Sequence, residues 1–560
     1  MRLSEAESVE RQSKLPISST VYWLVFVLMI IASVALFFHR QIETNFDFVF
    51  GDTWDGRIMS VLLSHWLKTT MSIQTWNQVP YFYPYADTLG YNDGGFITGM
   101  LTVPFRLLGV DVYRAPDCAV VVLKLVGFIA MARLLDRLVA RRSLASLFGA
   151  ALFTLMIASA NDAGHTQLLT VALAPLQFLL LLKALDRLQG PPIPFLIWST
   201  VTLVLMGAWL ITSFYMAWFF LLFCLVLIGV WAILDFGSVR MAVKILLANR
   251  GCRLIGVMVV FAASITPFLI VYLPKLIETK GYAFSGAFIY RQHLYDIINT
   301  GPGSLIWGKL FSRLLRIWPE MARGEASVGF TPDIIIMLLV FAGLVIVTRT
   351  LRLTPILLGI AWTTLILLIL PISLGPISLW WLVFKFVPGA TGIRVIARLW
   401  LMTAFPVCLL VTCLIHHWGC ARRGAWFAVP LAVLALAGQF NMKSPVFLDV
   451  ASELAFLNSV PPPPPACQSF FVTRHSADAE DGNVIVNLYS NNVAAMAIAD
   501  KINIPTIQGF STFNPPDWKF EAFPASTYMT RVKRYVTTHK LDDVCGYDLQ
   551  DRIWTTKPFD

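Results

Sequence analysis

Asp47, Asp52, Asp55 and Arg57 crowd into one stretch, FDFVFGDTWDGRIMSVLLSHW from Phe46, of a chain in which only 14% of residues are charged. A carboxylate beside an apolar run can be a solvated loop residue, a helix cap, a metal ligand or a base. Asp55 stands where the segment DGRIMSVLL begins a helical pattern, so capping is its plain structural role. Asp52 follows Gly51, where a turn would present its side chain beside a membrane face. Desolvation there raises a carboxylate's proton affinity and a neighbouring cation such as Arg57 lowers it again. A group balanced in that way can take a proton from a hydroxyl.

Three further groups have types and spacing that suit chemistry. In FYPYADTLGYNDGG, Tyr83 and Tyr91 alternate with Asp87 and Asp93. Aromatic faces beside carboxylates suit sugar rings, although an ordinary structured loop uses the same letters. In ASANDAGHTQLL, Asp162, His165 and Gln167 occupy a short turn between two apolar runs and would line a cavity on that face. Asp with His can also bind a divalent cation, and helix capping is the alternative. In FKFVPGATGIRVIARLW, Arg394 and Arg398 lie four apart, which on a helix is one face. Two guanidinium groups there would hold a phosphate, or else snorkel to lipid headgroups.

The elements that must position these groups are apolar. Hydrophobic residues make up 57% of the chain and its mean hydropathy is +0.69, far from soluble composition. The sequence reads as an all-α polytopic membrane protein of about 11 transmembrane helices, near 20–39, 116–136, 144–160, 167–184, 194–213, 215–234, 254–273, 333–348, 354–372, 398–416 and 425–441. The net charge of +10 sits mainly in short loops between apolar runs, which is topology rather than nucleic-acid binding. Arg2, Arg11 and Lys14 precede the first apolar run, and the Arg/Lys-rich loops follow the second, fourth and sixth. Residues 1–19 then form a cytoplasmic tail, no cleavable signal peptide is visible, and the C-terminus lies outside.

That topology makes 40–115 and 274–332 outer loops of a membrane domain spanning 20–441. DGRIMSVLLSHWLKTTM, FITGMLTVPFRLLG and SLIWGKLFSRLLRIW read as helices lying along the membrane surface. Residues 442–466, with their run of prolines, read as a linker. Residues 467–560 read as a small α/β extracytoplasmic domain with strands in SFFVTR and NVIVNLYS. Cys467 and Cys545 flank that domain, and an oxidising compartment would allow them to pair as a disulfide. The other six cysteines lie in or beside apolar runs as small hydrophobes.

An early outer loop with an acidic motif and surface helices resembles the GT-C superfamily of membrane glycosyltransferases. GDTWDGR, FYPYADTLGYNDG, HTQLL, PGATGIRVIAR and GFSTFNPPDW are similar to strings in a group of bacterial inner-membrane proteins assigned to that fold. The resemblance implies a polyprenyl-phosphate-linked sugar donor, a site on the outer face and inversion at the anomeric carbon. It implies Asp52 as general base with Asp55 in reserve, and Arg394 and Arg398 holding the departing lipid phosphate. Asp162 and His165 would orient sugar or a cation. The chain departs from the superfamily in lacking a paired DE or DD, with Asp52 and Asp55 three apart instead. The acceptor would be glycan, lipid or protein.

Two other classes fit parts of this pattern. A transporter or flippase for lipid-linked sugars would place polar residues at the middle of its spans. A non-catalytic envelope assembly protein would use the outer domain alone. No Walker loop, Rossmann fingerprint, HExxH or nucleophile elbow stands in a supporting context.

Overall fold

The computed structural model describes residues 18–247, 251–321, 325, 327–421, 424–443, 447–474, 484–520 and 527–559. Among them, eight helices are long and apolar enough to cross a membrane: Ser19–Phe37, Arg114–Leu138, Leu144–Asn161, Thr166–Asp186, Pro192–Thr212, Phe214–Leu234, Cys252–Thr279 and Ile396–Cys420. The protein is a multi-pass helical membrane protein. The three other expected spans are the helices Pro332–Ile346, Pro355–Ile369 and Ala425–Gln439, of 15 residues each. At about 1.5 Å per residue they reach roughly 22 Å, short of a hydrocarbon core of about 30 Å. Proline at the first turn fixes where two of them begin.

Packing separates the helices by role. Leu399–Cys420 is surrounded, with every residue from Leu399 to Ile415 buried, whereas Cys252–Thr279 buries only Arg253, Val271 and Lys275 and turns the rest of its apolar surface outward. Leu144–Asn161 is interrupted. Met156 leaves helical geometry (φ −43°, ψ 118°) and a short helix resumes at Ile157. A break inside apolar surroundings strands backbone groups that lipid cannot satisfy. Gln439 repairs one of them, accepting from the Ile157 amide at 3.1 Å. Lys124 repairs another, donating to the Thr154 carbonyl at 3.1 Å with its ammonium over the Phe37 ring. The repaired break aims the chain at Asp162 and His165.

The first of the segments expected outside forms one structure with the C-terminal region. Phe48–Phe50 pairs antiparallel with Phe447–Asp449, matching Val49 to Leu448. The helix Val450–Asn458 follows at once, so 442–466 is not a linker throughout; Asp449 caps that helix by accepting from the Ala451 and Ser452 amides. The last part is α/β: Ser469–Arg474 pairs parallel with Val544–Asp548, which pairs antiparallel with Trp554–Thr555. Of NVIVNLYS, expected as a strand, the residues from Val484 belong to the helix Val484–Ile502 instead, and Asn483 lies outside the described residues. Its alternation is too short to outweigh the helical run VAAMAIADKI, whose Val493–Ala499 face is buried. Cys467 and Cys545 are joined as a disulfide. A shared apolar core runs from Ile58, Leu62, Trp66 and Phe82 of the first long loop to Phe471, Met496 and Trp518.

Candidate functional site

The turn GDTWDG is built by a glycine pair. Gly51 has φ +126°, and a side chain on it would meet the Gly56 Cα at 2.9 Å. Asp52 closes this turn. Its Oδ1 accepts from the amides of Trp54 and Gly56 at 2.9 and 3.0 Å. The helix Asp55–Thr70 has no side-chain cap at Trp54, so the capping role expected of Asp55 is performed from the Asp52 side. The Asp55 carboxylate is thereby left for other partners.

Those partners come from three other parts of the chain. Asp55 Oδ2 lies 3.4 Å from His165 Nδ1, and His165 Nε2 lies 3.8 Å from Glu325 Oε1. Glu325 is paired with Arg398 through both oxygens, at 3.1 Å to Nε and 3.2 Å to Nη2. Asp55, His165, Glu325 and Arg398 therefore form one chain of alternating acids and bases. Asp162 lies within electrostatic reach of it and has a buried Oδ2 without a hydrogen-bond partner among the described residues. Asn161, next to it, donates to the carbonyls of Thr300 and Ser327 at 2.9 Å each, which moors the chain at Ser327 near Glu325.

The charges respond to burial and to each other. Burial raises the proton affinity of Asp55; His165 and Arg398 draw it back down while Asp52 and Glu325 add to the rise. Burial lifts Asp162 further, against the pull of Arg398. Burial also pushes Glu325 up, but Arg398 and His165 outweigh it and hold that carboxyl well below the usual range. The cluster so holds one firmly ionised acid and others poised to take a proton.

Arg394 and Arg398 do not share a helical face. Pro388, Gly389 and Gly392 break the chain, and Arg394 precedes the helix, with Ile393 extended and Arg398 in a short 3₁₀ turn. The Tyr215 hydroxyl accepts from the Arg394 and Val395 amides at 2.9 and 3.2 Å and fixes this bend. Arg398 is buried, while Arg394 is exposed between the rings of Tyr282 and Tyr290, at 5.8 and 5.4 Å.

Other expected residues lie elsewhere. Arg57 is not beside Asp52 as a tuning cation; it forms a buried pair with Glu453, donating at 2.8 and 2.6 Å, and lies over Phe456. Tyr83 joins the first loop to the C-terminal region, its amide donating to Thr506 and its carbonyl accepting from Tyr535. Asp87 sits in a left-handed turn and accepts from Asn77. Tyr91 is buried and donates to Glu278 at 2.9 Å. Asp93 does approach the cluster: its Oδ1 accepts from the Phe214 amide at 2.8 Å at a helix start, and burial pushes its pKa up to about 6 against Arg398 and His165. Gly94 makes that approach possible, since a side chain there would strike the Ile211 carbonyl. Gln167 has a buried Oε1 with no hydrogen-bond partner among the described residues.

Sequence reasoning missed Glu325, Tyr215, Tyr282 and Tyr290. Glu325 is a single acid in MARGEASVGF with no motif around it, and only the fold brings it to Arg398. Among the described residues no group of three or more His, Cys, Asp or Glu is gathered so as to hold a metal ion.

No protein-family model matches the chain, and no curated protein matches it. Solved structures do. The chain is similar to ArnT from Cupriavidus metallidurans bound to undecaprenyl phosphate, with 11% identity, a TM-score of 0.43 and coverage of 94% of this chain and 92% of the other. The apo state of the same protein is similar at 14% identity and a TM-score of 0.38, covering 95% and 94%.

Proposed function

We propose that the protein is an inverting glycosyltransferase that moves a sugar from a polyprenyl-phosphate donor to an acceptor hydroxyl at the outer membrane face. The observation that carries this reading is the continuous run Asp55–His165–Glu325–Arg398, which sets a proton acceptor and a buried guanidinium group in one cluster. The loop strings that resemble the GT-C superfamily supply every member of that run except Glu325.

The chemistry assigns each group a task. Asp55, with proton affinity raised by burial, removes the proton from the acceptor hydroxyl. The acceptor oxygen bonds to the anomeric carbon as the bond from that carbon to the donor's phosphate oxygen breaks. The polyprenyl phosphate leaves with the electron pair, and Arg398 balances the charge it gains. Exposed Arg394 meets the headgroup at the membrane face. Asp52 acts through the turn it closes, and so Asp55 is the better base. His165 orients the Asp55 carboxylate. The polyprenyl chain stays in the bilayer while its phosphate and sugar lie at the interface.

The test uses purified full-length protein with a polyprenyl-phosphate-linked sugar and measures release of polyprenyl phosphate. Asp55→Asn should lose transfer by about 10²-fold or more while still binding the donor. Full transfer by this variant would end the assignment. Transport of donor by wild-type protein with no bond cleavage would replace the enzyme by a flippase.

A further inference from the structure

Arg398 reaches the cluster already engaged. Its side chain is only 9% exposed, and both Nε and Nη2 face the two oxygens of Glu325. This fork-to-fork geometry is also the one a phosphate would take on the same guanidinium edge. The two anions cannot use Nε and Nη2 together. Glu325 is the more accessible partner, with its side chain 30% exposed, and it belongs to the second outer loop rather than to the bundle. It also has a second neighbour to turn to, His165 Nε2 at 3.8 Å.

We propose that Glu325 is an internal anion seated where the donor's phosphate binds, exchanged for that phosphate on donor entry and returning to Arg398 as the product leaves. The proposal rests on the reading of Arg398 as the phosphate-holding residue. Its physical logic is that an unpaired buried cation is costly. A carboxylate that alternates with the phosphate keeps Arg398 paired throughout the cycle. The same competition weakens the hold on polyprenyl phosphate, so that product release does not have to break an uncontested ion pair. A residue that only braced Arg398 would act in the opposite direction, because its loss would leave the guanidinium misplaced and phosphate binding weaker.

The sign of one measurement separates these roles. Binding of undecaprenyl phosphate to the full-length protein is compared for wild type, Glu325→Gln, Glu325→Asp and Arg398→Gln. Glu325→Gln should bind about tenfold more tightly, since the competing charge is gone. Glu325→Asp, one methylene too short to keep both contacts, should also tighten and decides the matter if the Gln variant does not fold. Arg398→Gln should weaken binding. Unchanged or weaker binding by the Glu325 variants, with Arg398→Gln still impaired, overturns this inference alone. Arg398→Gln binding as well as wild type overturns the phosphate assignment itself.

Discussion

His165 Nδ1 lies 3.4 Å from Asp55 Oδ2, joining the turn after Phe48–Phe50 to the short connection between two spanning segments. The imidazole pulls down a proton affinity that burial raises. His165→Gln removes that pull, so Asp55 should hold its proton to a higher pH than in wild type. A base works only when deprotonated, and the acid limb of kcat/KM against pH should therefore move to higher pH in the variant. An acid limb that stays in place would dissociate His165 from the base.

The two acids of GDTWDGR should separate by kind of substitution. Asn at position 52 keeps an oxygen for the Trp54 and Gly56 amides, so Asp52→Asn should retain activity within about tenfold, whereas Asp55→Asn should fall by about 10²–10⁴. Asp52→Ala removes the acceptor and should cost about 1 kcal/mol of stability, as loss of a helix-start cap does. Transfer rates and thermal denaturation of the three variants check this. The reverse order of the two Asn variants would restore Asp52 as the base.

Arg57 and Glu453 should prove structural. Both side chains are nearly buried, at 11% and 4% exposure, and they tie the helix Asp55–Thr70 to the helix Val450–Asn458 that follows the strand paired with Phe48–Phe50. Removing one partner leaves the other charge buried, at a cost of about 3–5 kcal/mol. The double variant Arg57→Leu with Glu453→Leu should recover much of that loss, and a double-mutant cycle on thermal stability reads the coupling. Donor affinity in the folded double variant should equal wild type.

How far the sequence reveals this molecule depends on the range of the forces involved. The spans are legible because lipid demands long apolar runs, and Ser19–Phe37 and Phe214–Leu234 fall almost where hydropathy places them. That Asp55, Asp162, His165 and Arg398 lie near one another could be anticipated because they are polar residues beside such runs. Glu325 could not be, since its meaning lies wholly in a contact across 73 residues with Arg398. Arg57 misleads for the same reason in reverse: it is near Asp52 in sequence, and a partner 396 residues away claims it. The strand at Phe447–Asp449 escapes notice because three residues carry no periodicity, and its pairing with Phe48–Phe50 is visible only in the fold.

Asp93 offers a stability test independent of catalysis. Its folded pKa of about 6 lies above the ordinary value of 3.8, because burial disfavours the ionised form. The folded state thus binds this proton more tightly than the unfolded chain does. The stability it contributes is fully present below about pH 4 and is lost as pH rises through about 6. Asp93→Asn stays neutral and still offers an oxygen to the Phe214 amide, which the native residue meets at 2.8 Å. The variant should therefore melt above wild type at pH 7.5, and the gap should close as the pH is lowered toward 4. A constant gap across that range would mean that Asp93 is ionised throughout in the folded protein, with Arg398 and His165 compensating its burial completely.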